Sequence, residues 1–146
     1  MLEEDSSGRL LTTADFFVTP EDWVDGRFDV AGQKDLSGIG GPLVGCREQP
    51  GEGTPTIELR LANNFKQISM QIGQSDDSPS SDVEVNVQLV GNETYIDSVQ
   101  VPFNQVVPFR ASVANVNALK IQVWIGEKGC EDTERVEAVL MDLKVE

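Results

Sequence analysis

Apolar residues occupy every second position in several stretches of the chain, and this alternation limits the fold more than any other feature. It is clearest over residues 65–73, 83–90 and 119–125 and recurs over 56–61 and 94–101. A period of two puts successive side chains on opposite faces of a β-strand. With about seven or eight such strands and turn residues at short intervals, the pattern predicts an all-β chain folded as an antiparallel β-sandwich.

Two further stretches are less regular. Residues 106–113 include Pro108, which has no backbone N–H to donate and therefore predicts an edge strand or a bulge. The apolar residues of 134–146 fit a helix at one spacing and a strand at the other. We predict a strand there, because a terminal strand completes a sandwich more simply than a lone helix does.

Proline and glycine interrupt the N-terminal third of the chain. Residues 1–8 are charged and small, which predicts a flexible tail ahead of a single domain over 9–146. Thr19-Pro-Glu-Asp22 has the hydroxyl, proline and acidic residues of a helix start, so we expect one short helix or turn. Residues 32–55 are rich in glycine and proline and include Gly38-Ile-Gly-Gly-Pro42, so we predict a long surface loop there, tied down at Cys46.

The charge of the chain limits its partners. Its 146 residues include 25 acidic and 11 basic side chains, for a formal net charge of −14. Phosphate backbones and anionic membranes are repelled by that charge, so we expect no nucleic acid and no membrane surface as a partner. The sequence has no apolar run of the roughly 18 residues that a membrane span needs, so no membrane insertion is expected in this segment.

The residue types present argue against catalysis. The sequence contains no histidine, which removes the Ser-His-Asp and Cys-His nucleophiles and the usual zinc sites. Carboxylates are plentiful, but nothing in the sequence singles out one pair for glycoside hydrolysis. We therefore predict a protein that is not an enzyme.

Cys46 and Cys130 are the only cysteines, and they lie far apart in the sequence. We predict that they form a disulfide, which indicates an extracellular or cell-surface location. The triplet Asn92-Glu93-Thr94, which is sequon-like, agrees with that location. The alternative is two unrelated buried thiols.

One loop has the residues for a metal. Asp76, Asp77 and Asp82 are candidate calcium ligands, because calcium prefers hard oxygen ligands at a loop. Their spacing matches no EF-hand, and the alternative is a solvated turn whose side chains bond to the backbone. Apart from calcium we expect no cofactor.

The strand faces opposite the predicted core carry mainly uncharged hydrogen-bonding groups. Sugars present hydroxyls in the plane of the ring and C–H groups on its faces, so amides beside an aromatic ring suit them. The alternative is a face that simply meets water. The candidate ligand-binding residues are Gln67, Gln71, Asn86, Gln88, Gln122 and Trp124.

From Ile57 onwards the order of elements resembles the NPCBM-type module, a galactose-binding-like β-sandwich first noted beside glycoside hydrolases and also found in bacterial extracellular proteins. The resemblance is carried by Ile57-Glu-Leu-Arg-Leu61, by the run from Phe65 into Gln74-Ser-Asp-Asp77, and by Val113-Ala-Asn-Val-Asn-Ala-Leu119. It implies a jelly-roll sandwich and a carbohydrate-associated or surface-binding role. The family's Asp-His-x-x-Trp-type segment has no counterpart in Cys130-Glu-Asp-Thr-Glu-Arg-Val136, so no ligand residue is carried over from it.

These observations lead to two expectations of function. The first is a non-catalytic extracytoplasmic module, part of a larger bacterial protein, that binds a carbohydrate or cell-wall glycan. The second is a protein-interaction or sensor ectodomain of a bacterial membrane receptor. A glycan site requires an exposed Trp124 flanked by amides, whereas an interaction module requires a contiguous apolar patch. The candidates for that patch are Phe103, Val106, Val107 and Phe109.

Overall fold

The computed structural model of the protein describes residues 2–79, 82–127, 130 and 134–146. Within these ranges it contains nine β-strands and two short 3-10 turns, Glu4–Ser6 and Thr13–Asp15. The strands are β1 (Val24–Val30), β2 (Gln33–Val44), β3 (Thr56–Arg60), β4 (Gln67–Gln74), β5 (Val85–Gly91), β6 (Thr94–Val101), β7 (Val107–Ser112), β8 (Ala118–Ile125) and β9 (Arg135–Val145).

The strands form two sheets that face each other. One sheet has five strands in the order β1-β2-β9-β4-β7, and the other has four in the order β3-β8-β5-β6. Neighbouring strands are antiparallel throughout, which confirms the all-β antiparallel sandwich. Pro108 lies in β7, at the edge of its sheet, as its missing N–H predicted. Among the described residues we find no helix with the length and apolar character that a membrane span requires.

The main core fills the space between the two sheets. Burial alternates residue by residue along β5 and along β4 as far as Ile72, after which Gly73 and Gln74 are also buried. The period of two therefore identified the inward faces of the two strands correctly. Leu89 and Ile121 are cross-strand partners on the four-stranded sheet, and neither is exposed. Burying each such aliphatic side chain contributes about 1.5–3 kcal/mol.

The last strand is buried on both faces over part of its length. Leu140 and Leu143 both pack into the main core, although residues three apart in a regular strand lie on opposite faces. Asp142, between them, has φ 52° and lies where the register of β9 against β4 shifts, which marks a β-bulge. Val139 and Met141 instead pack with residues of the β1–β2 hairpin in a second apolar cluster. The predicted terminal strand is confirmed, and its double burial explains why the apolar residues also fitted a helix.

The prediction of a long loop over residues 32–55 is wrong for Gln33–Val44, because these residues, Gly38–Pro42 among them, form β2, which pairs with both β1 and β9. Two of the three glycines face aromatic rings, one from β1 and one from the residue just before it. A Cβ on Gly40 would lie 2.5 Å from the Phe28 ring, and a Cβ on Gly41 would overlap the Trp23 indole. Glycine here permits close packing of a ring on a strand.

The N-terminal segment runs along the sandwich to β1. The Gly8 amide donates to the Val145 carbonyl (2.9 Å), and the Leu11 amide donates to the Leu143 carbonyl (2.8 Å). Of the helix or turn expected at Thr19–Asp22, the structure has the turn, at residues 21–22. The domain boundary after residue 8 stays a prediction.

The predicted disulfide between Cys46 and Cys130 is confirmed, with 6.3 Å between the two Cα atoms. Cys46 follows β2 of the five-stranded sheet. Its backbone forms an isolated β-bridge with Ile125, the last residue of β8 in the other sheet. The crosslink closes a loop with a sequence separation of 84 residues. In the chain-entropy model a loop of that length contributes about 4–5 kcal/mol to the stability.

Candidate ligand-binding face

The outer face of the four-stranded sheet carries a row of uncharged polar residues that crosses all four strands. Thr56 on β3 pairs with Gln122 on β8, Gln122 pairs with Gln88 on β5, and Gln88 pairs with Ser98 on β6. A second row beside it runs through Trp124, Asn86 and Gln100. We call these two rows together the amide face.

Side chains in the first row hold one another in place. The Gln88 amide nitrogen donates to the Gln122 side-chain oxygen across the strands, at 3.1 Å. Each amide has further donor or acceptor capacity after that bond. The Gln88 oxygen and the Gln122 nitrogen therefore remain for a ligand, in an orientation that the cross-strand bond restricts.

Trp124 lies beside the amides but is not an open stacking surface. It pairs directly with Asn86, yet only 7% of it is exposed and its indole N–H has no partner among the described residues. The loop between β2 and β3 attaches on either side of it. The Arg47 amide donates to the Ile125 carbonyl, and the Val123 amide donates to the Pro55 carbonyl. The exposed Trp124 expected for a glycan site is therefore not observed.

An exposed aromatic ring is supplied instead by Tyr95, which is not among the predicted ligand residues. Tyr95 is 57% exposed, and its hydroxyl lies 2.9 Å from the Ser98 hydroxyl. It pairs with Val90, two residues after Gln88 on β5, so it shares the outer face with the first row. Alternation counted back from Ser98 would place Tyr95 on the inner face. A register shift between Leu89 and Val90 places the Tyr95 side chain on the outer face instead. No residue pattern in the sequence predicts that shift.

The predicted ligand residues divide between the two sheets. Asn86, Gln88, Gln122 and Trp124 come together on the amide face, whereas Gln67 and Gln71 lie on β4 of the five-stranded sheet. Gln71 is exposed and borders a separate hollow on the outside of that sheet. The six residues therefore do not form one surface, and their role in binding stays a prediction.

The three aspartates proposed for calcium do not form a cluster. Asp76 accepts a hydrogen bond from the Gly32 amide at 3.0 Å, while Asp77 and Asp82 are exposed. In the described part of the chain no three carboxylate or thiol side chains are arranged to hold a metal ion. Residues 80 and 81 of this loop lie outside the described residues, and calcium binding stays a prediction.

The residues expected for an interaction patch are also not freely exposed. Phe109 is buried, and Phe103, Val106 and Val107 are partly buried. The amide face with Tyr95 is consequently the surface that best combines exposure with hydrogen-bonding chemistry.

No family model and no curated protein matches the sequence. Solved structures do match. The tandem CBM51 modules of Sp3GH98, a family 98 glycoside hydrolase from Streptococcus pneumoniae, give a TM-score of 0.61 at 11% identity, over 97% of this chain and 50% of theirs. A CBM51 from Clostridium perfringens GH95, in complex with methyl-galactose, gives 0.56 at 11% identity, over 84% of this chain and 81% of that one. A non-crystalline cellulose specific module, CBM28, gives 0.51 at 9% identity, over 86% of each chain.

At such identities the likeness establishes the fold. The chain has the β-sandwich fold found in these carbohydrate-binding modules. It spans 12% of a Clostridium perfringens ZmpB chain in which two CBM51 domains accompany an M60 catalytic domain. Modules with this fold therefore occur within larger proteins.

Proposed function

We propose that this protein is a non-catalytic carbohydrate-binding module whose sugar ligand lies on the amide face. The observation that carries the proposal is the row of uncharged hydrogen-bonding residues in register across all four strands, with Tyr95 exposed beside it. The β-sandwich fold of carbohydrate-binding modules supports it. A flat sheet face, rather than an enclosed pocket, suits a ligand that presents one side of a sugar chain.

Each part of this face has a role in the proposed complex. Tyr95 stacks against the C–H face of a sugar ring, because aromatic rings bury such faces well. Its bond to the Ser98 hydroxyl limits rotation of the ring, so less entropy is lost on binding. The amides of Gln88 and Gln122 then donate to and accept from the hydroxyls of the sugar. Uncharged partners favour a neutral sugar at this face.

The setting of the module is part of the same proposal. A disulfide persists in oxidising compartments, so Cys46–Cys130 supports an extracellular or cell-surface location. We assign the module to a larger bacterial protein of the NPCBM-type kind, in which it would hold that protein on a glycan. The coupling of CBM51 domains to a catalytic domain in the ZmpB chain supports this arrangement by analogy.

Glycan-array binding followed by calorimetry tests the proposal. We expect a neutral glycan to bind and the Tyr95→Ala variant to bind it roughly tenfold more weakly or worse, since the stacking area is lost. Tyr95→Phe keeps the ring and should retain most of the affinity. Gln88→Ala should weaken binding about fivefold through one lost hydrogen bond.

A matched control is available in Gln105→Ala. Gln105 is exposed in the loop between β6 and β7, so the same substitution there should leave the affinity unchanged. The proposal fails if no neutral glycan binds, or if Tyr95→Ala and Gln105→Ala bind equally well.

A further inference from the structure

The outside of the five-stranded sheet has a hollow of about 340 Å³ that the proposed function does not use. We call it the β4 groove. Its polar side chains come from the strands β4, β7 and β9 and from the residue after β9, and both charge signs are present. They are Ser69, Gln71, Arg110, Asp142, Lys144 and Glu146.

Two basic residues of the groove flank one hydroxyl in the same register. Ser69 on β4 pairs with Arg110 on β7 and with Lys144 on β9. Adjacent strands lie about 4.8 Å apart, so the Cα atoms of Arg110 and Lys144 are roughly 10 Å apart with Ser69 midway. Both side chains are long and flexible, and their charged ends can reach the same group above the serine hydroxyl.

Within the described part of the chain, Arg110 and Lys144 lack the carboxylate partner that four other cations have, as Lys66 and Lys120 also do. Arg9, Arg27, Lys34 and Arg60 each form an ion pair with a nearby carboxylate. Arg110 and Lys144 form no ion pair and no side-chain hydrogen bond among the described residues, although Asp142 and Glu146 border the same groove. What sets Arg110 and Lys144 apart is that they flank one hydroxyl in the same register, so that all three groups can donate to a single anion.

The shape of the groove has a local cause. Between Ser69 and Gln71 on β4 the register against β9 shifts from Lys144 to Met141, so β9 contains one extra residue. Asp142 lies in this bulge with φ 52°. Bulges bend a strand and redirect its side chains. The bulge thus places the Asp142 carboxylate at the rim of the groove, next to the Arg110–Ser69–Lys144 row.

We infer that the β4 groove binds the negatively charged group of an acidic sugar, a carboxylate or a sulfate, through Arg110, Ser69 and Lys144. The sugar class rests on the proposed function, whereas the recognition of an anion rests on this row alone. Arg110 holds the anion with two parallel N–H donors, Lys144 adds a point charge, and the Ser69 hydroxyl donates a third bond. Asp142 and Glu146 line the same groove and repel an anion, which favours a ligand with a single charge over a polyanion.

Calorimetry with defined monosaccharides tests the inference. The probes are galacturonic acid for the carboxylate, 6-sulfated galactose for the sulfate, and neutral galactose for comparison. At about 0.15 M salt the Debye length is ~8 Å, so charges outside the groove contribute little. We use the Tyr95→Ala variant, in which the proposed neutral-sugar site is weakened. There we expect at least one acidic probe to bind more tightly than galactose, and the stronger of the two identifies the anion.

Variants locate the binding. Arg110→Gln and Ser69→Ala should weaken it, the former by roughly 10- to 100-fold, the range for a lost bond to a charged group. Asp142→Asn should strengthen it about two- to fivefold, because a repelling charge is removed while asparagine also tolerates a positive φ. Arg27→Gln, on the exposed surface of β1, makes the same change in charge and should have no effect.

Two outcomes overturn the inference. One is that neither acidic probe binds the Tyr95→Ala variant better than galactose does, and the other is that Arg110→Gln binds the acidic probes as wild type does. Tyr95→Ala separates this site from the amide face, since it should leave the acidic probes bound at the groove. If Arg110 controls acidic binding while no neutral glycan binds anywhere, the amide-face proposal fails and the anion site stands.

Discussion

Gln74 joins the two sheets from a position with no exposed surface. It is the last residue of β4 in the five-stranded sheet. Its side-chain nitrogen donates to the carbonyls of Val83, just before β5, and Val101, at the end of β6, each at 2.9 Å, and both strands belong to the four-stranded sheet. Substituting Gln74→Met keeps nearly the same length and volume but removes both donors. The variant therefore isolates the two hydrogen bonds from the packing around them.

The magnitude follows from which groups lose a partner. Each buried carbonyl left unsatisfied costs about 1–3 kcal/mol, for a gross loss of roughly 2–6 kcal/mol. The Gln74 oxygen has no partner among the described residues, and removing it with the amide recovers about 1–3 kcal/mol of burial cost. We expect a net decrease of about 1–3 kcal/mol in the free energy of unfolding.

Urea denaturation followed by circular dichroism measures this change. The slope of the transition should stay constant while its midpoint falls, since the surface exposed on unfolding is the same. Gln71→Met makes the identical substitution at an exposed position of the same strand and should change stability by less than about 0.5 kcal/mol. An unchanged or higher midpoint for Gln74→Met would refute the role assigned to the two bonds.

Two further predictions concern acid stability and the packing of β2. Hydrogen bonds from Arg9 lower the pKa of Asp15, so the pair stabilises the fold above the ordinary carboxyl pKa of about 4 and this contribution is lost as the pH falls below it. Arg9→Gln should accordingly show a smaller loss of unfolding free energy between pH 7 and pH 3 than wild type, and an equal loss would contradict the assignment. Gly41→Ala places a Cβ inside the Trp23 indole and should destabilise by about 1–3 kcal/mol or more, whereas Gly51→Ala, which meets open space, should not. Equal melting temperatures for the two glycine variants would show that the ring does not need the glycine.

Local patterns were sufficient for much of the fold. The alternation at 65–73 and 83–90 identified two strands and their buried faces, because the period of a strand is a local property. Cys46 and Cys130 were correctly paired from their number and separation. The strand at Gly38–Pro42 was missed because a run of glycines is typical of a loop. Here Gly40 and Gly41 leave room for the rings of Phe28 and Trp23, and that packing is visible only in the tertiary structure.

The candidate site depended more on tertiary structure. Gln71 and Gln88 have the same chemistry and the same position in an alternating strand, yet β4 and β5 belong to different sheets. Tyr95 reaches the outer face through a register shift, and Trp124 is covered by the loop between β2 and β3. The sequence by itself determined that strands form, which faces they bury and what chemistry their outer faces carry. Only the tertiary structure decided which outer faces adjoin and which aromatic ring is exposed, because strand order, bulges and covering loops arise from contacts between residues distant in the chain.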